Sequence, residues 1–514
     1  MESLRSVIGL PVSNGTHASF LRAVIACAFT LLAGIPAHGE SNGLPKKVDP
    51  QTIHPERELM ITHPAVVDSP LAQYPQAWSF GALLEKLVGP ENASECVRKW
   101  LQSWREPRHV GSDDVAPRPL VYEKVIRPWQ IRDGYEISSG EAWMPNLAHA
   151  PFRLLAIVNR IDLCAPQIAG TMDEIRERWR KVGREQELLR LMSADAFDSH
   201  SRLAPLMTGY GFPMSPQQFA PAGEGRFIFG AIDSDGKPLA GGWTIIFEYH
   251  LGTSNSEGAR EWAAAWHALG EIDPADPFFC VELERVTRRF TGTLGDPTGT
   301  VINAGTATTG NAGEHLAQLR SSEAAFGPGR EFRQFGVLNN TELAMEPVSL
   351  TPAPRFAKRH TAEDRRLTTF LHDRDILIRS GVLQIPMDFM GGTALIPADQ
   401  PNFHWDTIGS HVSRDARRLF SLSTCNGCHA GETGCQTGLH VQPRAAGEEA
   451  KLSDFLRLDG KVLRIGDPDV PGMKVEYQEM KDRAAILAAL LDSRDSTTLE
   501  ALRPILRDRL QRTH

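Results

Sequence analysis

Three of the chain's seven cysteines, Cys425, Cys428 and Cys435, fall within the stretch FSLSTCNGCHAGETGCQTGLHVQPR (residues 420–444), and His429 directly follows the second. In C-x-x-C-H the two cysteines lie one helical turn apart, so both sulfurs can face one edge of a flat ring system while the next imidazole reaches a metal at its centre. That arrangement suits covalent haem attachment, with thioethers at Cys425 and Cys428 and His429 as the proximal iron ligand. A second chemistry uses Cys425, Cys428, Cys435 and His440, a C-x2-C-x6-C-x4-H set with the donors of a Cys3His zinc site. Zinc there would cross-link a loop-rich segment and contribute to folding. A plain disulfide, Cys425–Cys428 or Cys428–Cys435, is the third use. Haem attachment is the stronger reading, because it gives His429 a task that the zinc set leaves idle.

The compartment bears on that choice. Arg22 precedes an apolar run, AVIACAFTLLAGI (residues 23–35), which Pro36 and the small residues Ala37 and Gly39 follow. A basic start, a short apolar stretch and a small-residue cleavage region predict a signal peptide over residues 1–39, and hence an exported, periplasmic protein. The run is shorter than the roughly 20 residues that span a bilayer, and no other stretch is apolar for as long, so no membrane span is expected after signal removal. Cys27 lies inside the run, not after it, which excludes a lipoprotein reading. Cys96, Cys164 and Cys280 are widely spaced; they supply either one disulfide or buried thiols.

The 514 residues are 41% hydrophobic and 23% charged, with a net charge of −8 and a pI near 6.1. Such a chain has material for two or three folding units and lacks the basic footprint of a nucleic-acid partner. Residues 40–117 read as an irregular leader followed by helices at 80–88 and 93–104. Residues 118–354 read as an α+β module of unknown ligand. It has a strand at 152–163, a hairpin over 224–251 turning at Asp235-Gly236, and helices at 259–268, 278–290 and 314–326. FRQFGV and LAMEPVSLTP then supply a strand pair. A linker at 351–360 opens the C-terminal region, 355–514, with helices at 362–380, 413–424 and 476–491. The fold class is therefore α+β: a large mixed N-terminal module followed by a small, mostly α-helical domain at about 406–514. Arg160, Asp162, Glu224 and Arg226 read as ion pairs at strand ends, and Trp262 with Trp266 as one buried helix face. There is no P-loop, dinucleotide fingerprint, nucleophile elbow or HExxH.

The segment ARRLFSLSTCNGCHAGE resembles the first helix and attachment site of the c-type cytochromes, with the aromatic Phe420 upstream of the cysteines. The chain as a whole resembles a set of exported bacterial proteins at IVNRIDL, GEGRFIFG, QLRSSE and TCNGCHAGET, a likeness that implies no activity. The cytochrome resemblance implies a cytochrome c-like domain with one haem c, passing single electrons to a redox partner protein. It also implies Met473, in DPDVPGMKV, as the distal iron ligand, since similar cytochromes place a methionine in such a loop before the terminal helix. His440 is the rival, giving a bis-histidine iron, and Arg444 is a candidate for a haem propionate. With neither ligand the iron is open, and the chain becomes a peroxidase-like haem enzyme. A zinc-stabilised structural or interaction protein is the remaining alternative.

Overall fold

Short β-branched and aromatic runs separated by turns favour neighbouring antiparallel strands, and the computed structural model has that form. It describes residues 48–107, 109–110, 115–136, 142–161, 223–250, 256–292, 316–379, 389–405, 411–468 and 470–492. The expected signal segment 1–39, Cys164 and Asp162 lie outside the described residues. One large antiparallel sheet holds β1 (Met60–Ile61), β2 (Phe152–Ile161), β3 (Gly223–Ala231), β4 (Trp243–His250), β5 (Leu316–Glu323), β6 (Arg330–Leu338) and β7 (Glu342–Glu346) in that spatial order. A short strand, β8 (Ala394–Ile396), pairs with the free side of the start of β6.

Period-2 alternation gives the sheet two different faces. On one, Phe227, Phe229, Ile245, Phe247, Leu319 and Phe335 are buried under α1 (Phe80–Val88), α2 (Pro90–Arg105), α3 (Ser256–His267) and α4 (Pro277–Thr291). Aromatic packing dominates there: Trp100 of α2 stacks on Trp243 of β4 at 5.5 Å, and Trp262 and Trp266 are both core. The opposite face mixes Val158 and Ile228 with the buried polar residues Arg226, Glu248, Gln318, Arg320 and Gln334. The register puts these side by side, with Arg226 opposite Glu248, Glu248 opposite Gln318, and Arg320 opposite Gln334.

The C-terminal elements cover this second face. They are α5 (Ala362–Asp373), α6 (Asp375–Arg379), α7 (Arg414–Leu422), the single turn α8 (Cys425–Cys428), a hairpin of β9 (Leu463–Gly466) with β10 (Lys474–Tyr477), and α9 (Glu479–Asp492). Leu422, Val441, Phe455, Met480 and Leu487 share one core with Ala156, Val158 and Ile228 of the sheet.

Three local expectations need correction. Residues 316–323, expected as part of a helix, form β5 between β4 and β6. Its helix-forming residues are overridden because both backbone edges are taken up by ladder hydrogen bonds to neighbouring strands. The helix expected from 476 begins at Glu479, since residues 474–477 are drawn into the hairpin with β9. The helix expected over 362–380 is interrupted at Arg374, where α5 ends and α6 begins.

Candidate functional site

The cysteine segment owes its shape to Thr424. As N-cap of α8 its hydroxyl accepts from the Gly427 N–H at 3.1 Å, and it also accepts from the Trp405 indole at 2.9 Å. Gly427 is needed here, because a Cβ would fall 2.3 Å from the Ser421 carbonyl oxygen. A buried ion pair between Arg417 of α7 and Glu432 fastens the helix before the cysteines to the turn after them. The Thr433 hydroxyl donates to the Cys428 carbonyl.

Cys425 and Cys428 are both about 1% exposed, and the five described cysteines are thiols. The Cys425 backbone N–H donates to Thr351 at 3.0 Å; burial pushes its thiol pKa up, against the charges of Arg320 and Arg226 beneath it. Cys435 is separately placed beside Thr437, with burial raising its thiol to about 11. Cys96 is pushed to about 12 in the core under the first sheet face. Among the described residues no group of three or more His, Cys, Asp or Glu side chains converges on a point that would hold a metal ion.

His429 and His440 come together. Their ring centroids are 4.5 Å apart, and His440 Nε2 lies 3.7 Å from Cys428 Sγ. His429 Nδ1 is 2.9 Å from the Gly438 carbonyl, which only accepts, so Nδ1 carries the proton and Nε2 keeps a lone pair. On His440, Nδ1 is 2.7 Å from Ser453 Oγ, a hydroxyl that both donates and accepts, and a hydrogen bond to the Cys428 backbone acts against burial on the ring. Burial depresses both imidazoles, His440 to about 4, which keeps them neutral near pH 7.

The other candidates lie elsewhere. Met473 sits at the hairpin between β9 and β10, 41% exposed, with its sulfur against the Arg414 guanidinium. Arg444, the candidate for a propionate, grips both Asp68 oxygens at 2.7 and 2.8 Å and donates to the Leu154 carbonyl. Arg160 and Arg226 both pair with Glu224, as ion-pair residues should.

Whether the site fits a covalently held haem divides into donors and space. The donors fit: two thiols and an imidazole on one turn, the imidazole oriented through its second nitrogen as metal-ligating histidines are. A second imidazole, His440, lies beside it with Nδ1 on Ser453. The space is closed, because the cavity lined by His429, His440, Arg226, Thr244 and Arg483 measures about 40 Å³, while small-molecule sites start at roughly 300 Å³. Admitting a porphyrin requires His440 and the loop around Gly438 to draw back from His429. Among residues not singled out in the sequence, Thr424 had a legible signal as a cap just before the cluster. Gly438 and Ser453 had none, since their roles depend on how the loop returns. No family model, no curated protein and no solved structure matches the chain.

Proposed function

We propose that the chain is an exported c-type haem protein that transfers single electrons to a partner protein. Cys425 and Cys428 would hold the porphyrin as thioethers and His429 would ligate the iron, within a haem-bearing C-terminal region of cytochrome type. The observation that supports this reading is the His429 Nδ1–Gly438 contact of 2.9 Å, which leaves Nε2 of the histidine in CxxCH unprotonated, as a ligating imidazole needs. When bound, the haem supplies the iron redox couple. The chain's own residues do the rest. Thr424 and Gly427 hold the turn that presents both sulfurs, Thr433 fixes the Cys428 carbonyl, and Gly438 sets the His429 tautomer.

For the distal position the geometry favours His440 over Met473. His440 is buried, held through Nδ1 by Ser453 and adjacent to Cys428, whereas Met473 is at an exposed turn. The export assignment rests on the apolar run 23–35. Among the described residues no helix is long and apolar enough to cross a membrane.

Expression of the full chain with export and haem-attachment machinery tests the reading. The expected product stains for haem on a denaturing gel and gives a pyridine spectrum of saturated vinyl groups. The ferric protein should be low-spin; His440→Ala should convert it to high-spin, and Met473→Leu should leave it low-spin. A colourless product with the mass of polypeptide alone would sink the proposal.

A further inference from the structure

The chain carries a net charge of −8, yet one of its corners is basic. Between Pro352 and Leu371 the exposed ionisable side chains are Lys358, Arg359, His360, Arg365 and Arg366. Of the two carboxylates in that stretch, Asp364 is buried, accepting from the His360 backbone N–H at 2.9 Å, and Glu363 is half-buried. Lys358, Arg365 and Arg366 have no ion-pair partner among the described residues.

The start of α5 holds these cations together. Thr361 caps the helix, accepting from the Asp364 N–H at 3.1 Å and donating to the Lys358 carbonyl at 2.9 Å. Arg365 Nη1 reaches back to the His360 carbonyl at 3.3 Å, which sets its guanidinium beside the Lys358–His360 loop. His360 has a left-handed backbone, φ 64°, that glycine adopts without strain, yet its place is filled by an exposed imidazole. Leu367 and Leu371 fasten the other side of α5 into the cluster that includes Phe420 and Cys425. Helix stability gives no reason for such a patch, because cations around a helix N-terminus oppose the helix dipole.

The composition of the patch selects its partner. Specific protein interfaces centre on large apolar and aromatic anchors that become buried. The large exposed hydrophobic residues, among them Ile131, Phe278, Val281 and Met473, all lie outside residues 352–371. Long cations without an anchor of that kind suit a flat, diffuse array of negative charge. Fields fade over about 8 Å at physiological ionic strength, so the negative balance of the whole chain does not cancel the local charge. A lysine or arginine near an anionic lipid surface is worth roughly a fivefold change in partitioning.

We infer that Lys358, Arg359, Arg365 and Arg366 dock the protein on a bilayer surface that contains anionic phospholipid, as a peripheral contact without a membrane span. This holds with or without haem, since it uses neither the cysteines nor the histidines of that site.

The full chain is co-sedimented with vesicles of phosphatidylcholine alone or of an equal mixture with phosphatidylglycerol. The readout is the difference between the two, which cancels the contribution of the apolar run 23–35. The parent should prefer the phosphatidylglycerol vesicles at low salt and lose that preference at high salt. Lys358→Gln, Arg365→Gln and Arg366→Gln together should weaken binding by about a hundredfold, whereas Arg365→Lys with Arg366→Lys should bind as the parent does. Arg127→Gln, Lys461→Gln and Arg464→Gln remove the same charge from exposed cations already paired with Glu123, Asp459 and Glu476, and should leave binding unchanged. No preference for phosphatidylglycerol, or equal losses in the two triple variants, would overturn the inference. Displacement by inorganic phosphate beyond that by chloride at the same ionic strength would identify a site for single phosphate groups instead. Binding to polyglutamate without binding to vesicles would point to an acidic protein, and either result overturns it too.

Discussion

Thr424 meets three polar groups with one hydroxyl. It accepts from Gly427 N–H and from the Trp405 indole, and donates to the Ser421 carbonyl at 2.7 Å. Thr424→Ala removes a helix cap, worth about 0.5–2 kcal/mol. It also leaves the buried Trp405 N–H without its acceptor, at a further cost of about 1–3 kcal/mol. Urea unfolding should therefore show a loss of about 2–4 kcal/mol, of which Thr424→Ser recovers most. If Thr424→Ala were neutral, the turn presenting Cys425 and Cys428 would not depend on this cap. At the same scale, His429 shows how a second nitrogen decides chemistry: its Nδ1 donates to the Gly438 carbonyl, which leaves Nε2 unprotonated.

Elements are fastened to one another at sites remote from the cysteines, and some of these contacts titrate. Glu58, fully buried just before β1, accepts from His267 at the end of α3 at 2.9 Å and from the His54 backbone N–H at 2.8 Å. The Glu58 hydrogen bond raises the His267 pKa above its ordinary value, with burial opposing. A histidine whose folded pKa is raised contributes stability that is complete below about pH 6.5 and is lost as pH rises through the folded value. Stability should accordingly decline on the alkaline side of pH 6.5, and His267→Gln, which keeps a donor and does not titrate, should flatten that slope. Thermal melts across pH 5.5–9 check it; an unchanged slope in the variant would assign the pH dependence to other groups.

At the scale of the whole molecule, the two sheet faces do different work. One is an aromatic core closed by α1 to α4, and the other is a polar platform against which the cysteine segment is set. The cores to which residues 406–514 contribute are shared with other parts of the chain. Leu422, Val441, Phe455, Met480 and Leu487 complete theirs with Ala156, Val158 and Ile228, and Cys425 packs in a cluster that includes Phe332 of β6. Residues 406–514 expressed alone should therefore lack a cooperative thermal transition and near-ultraviolet dichroism, since their apolar side faces water. A sharp, reversible transition from that fragment would show an independent domain.

Local chemistry in the sequence determined a good deal. The spacing of Cys425 and Cys428 placed them one helical turn apart, and α8 has that form. Helices at 80–88, 259–268 and 278–290, and the strands on either side of Asp235-Gly236, were legible because short-range periodicity and turn residues act within a few positions. Tertiary structure decided the rest. It made Leu316–Glu323 a strand, because flanking strands supplied hydrogen bonds that helix propensity could not outweigh. It brought His440 against His429, withdrew Met473 to an exposed turn, and gave Arg444 to Asp68. These pairings join residues that are distant in the chain or lie across an irregular loop. Their energies come from burial and charge compensation in three dimensions, for which sequence spacing carries no periodic signal.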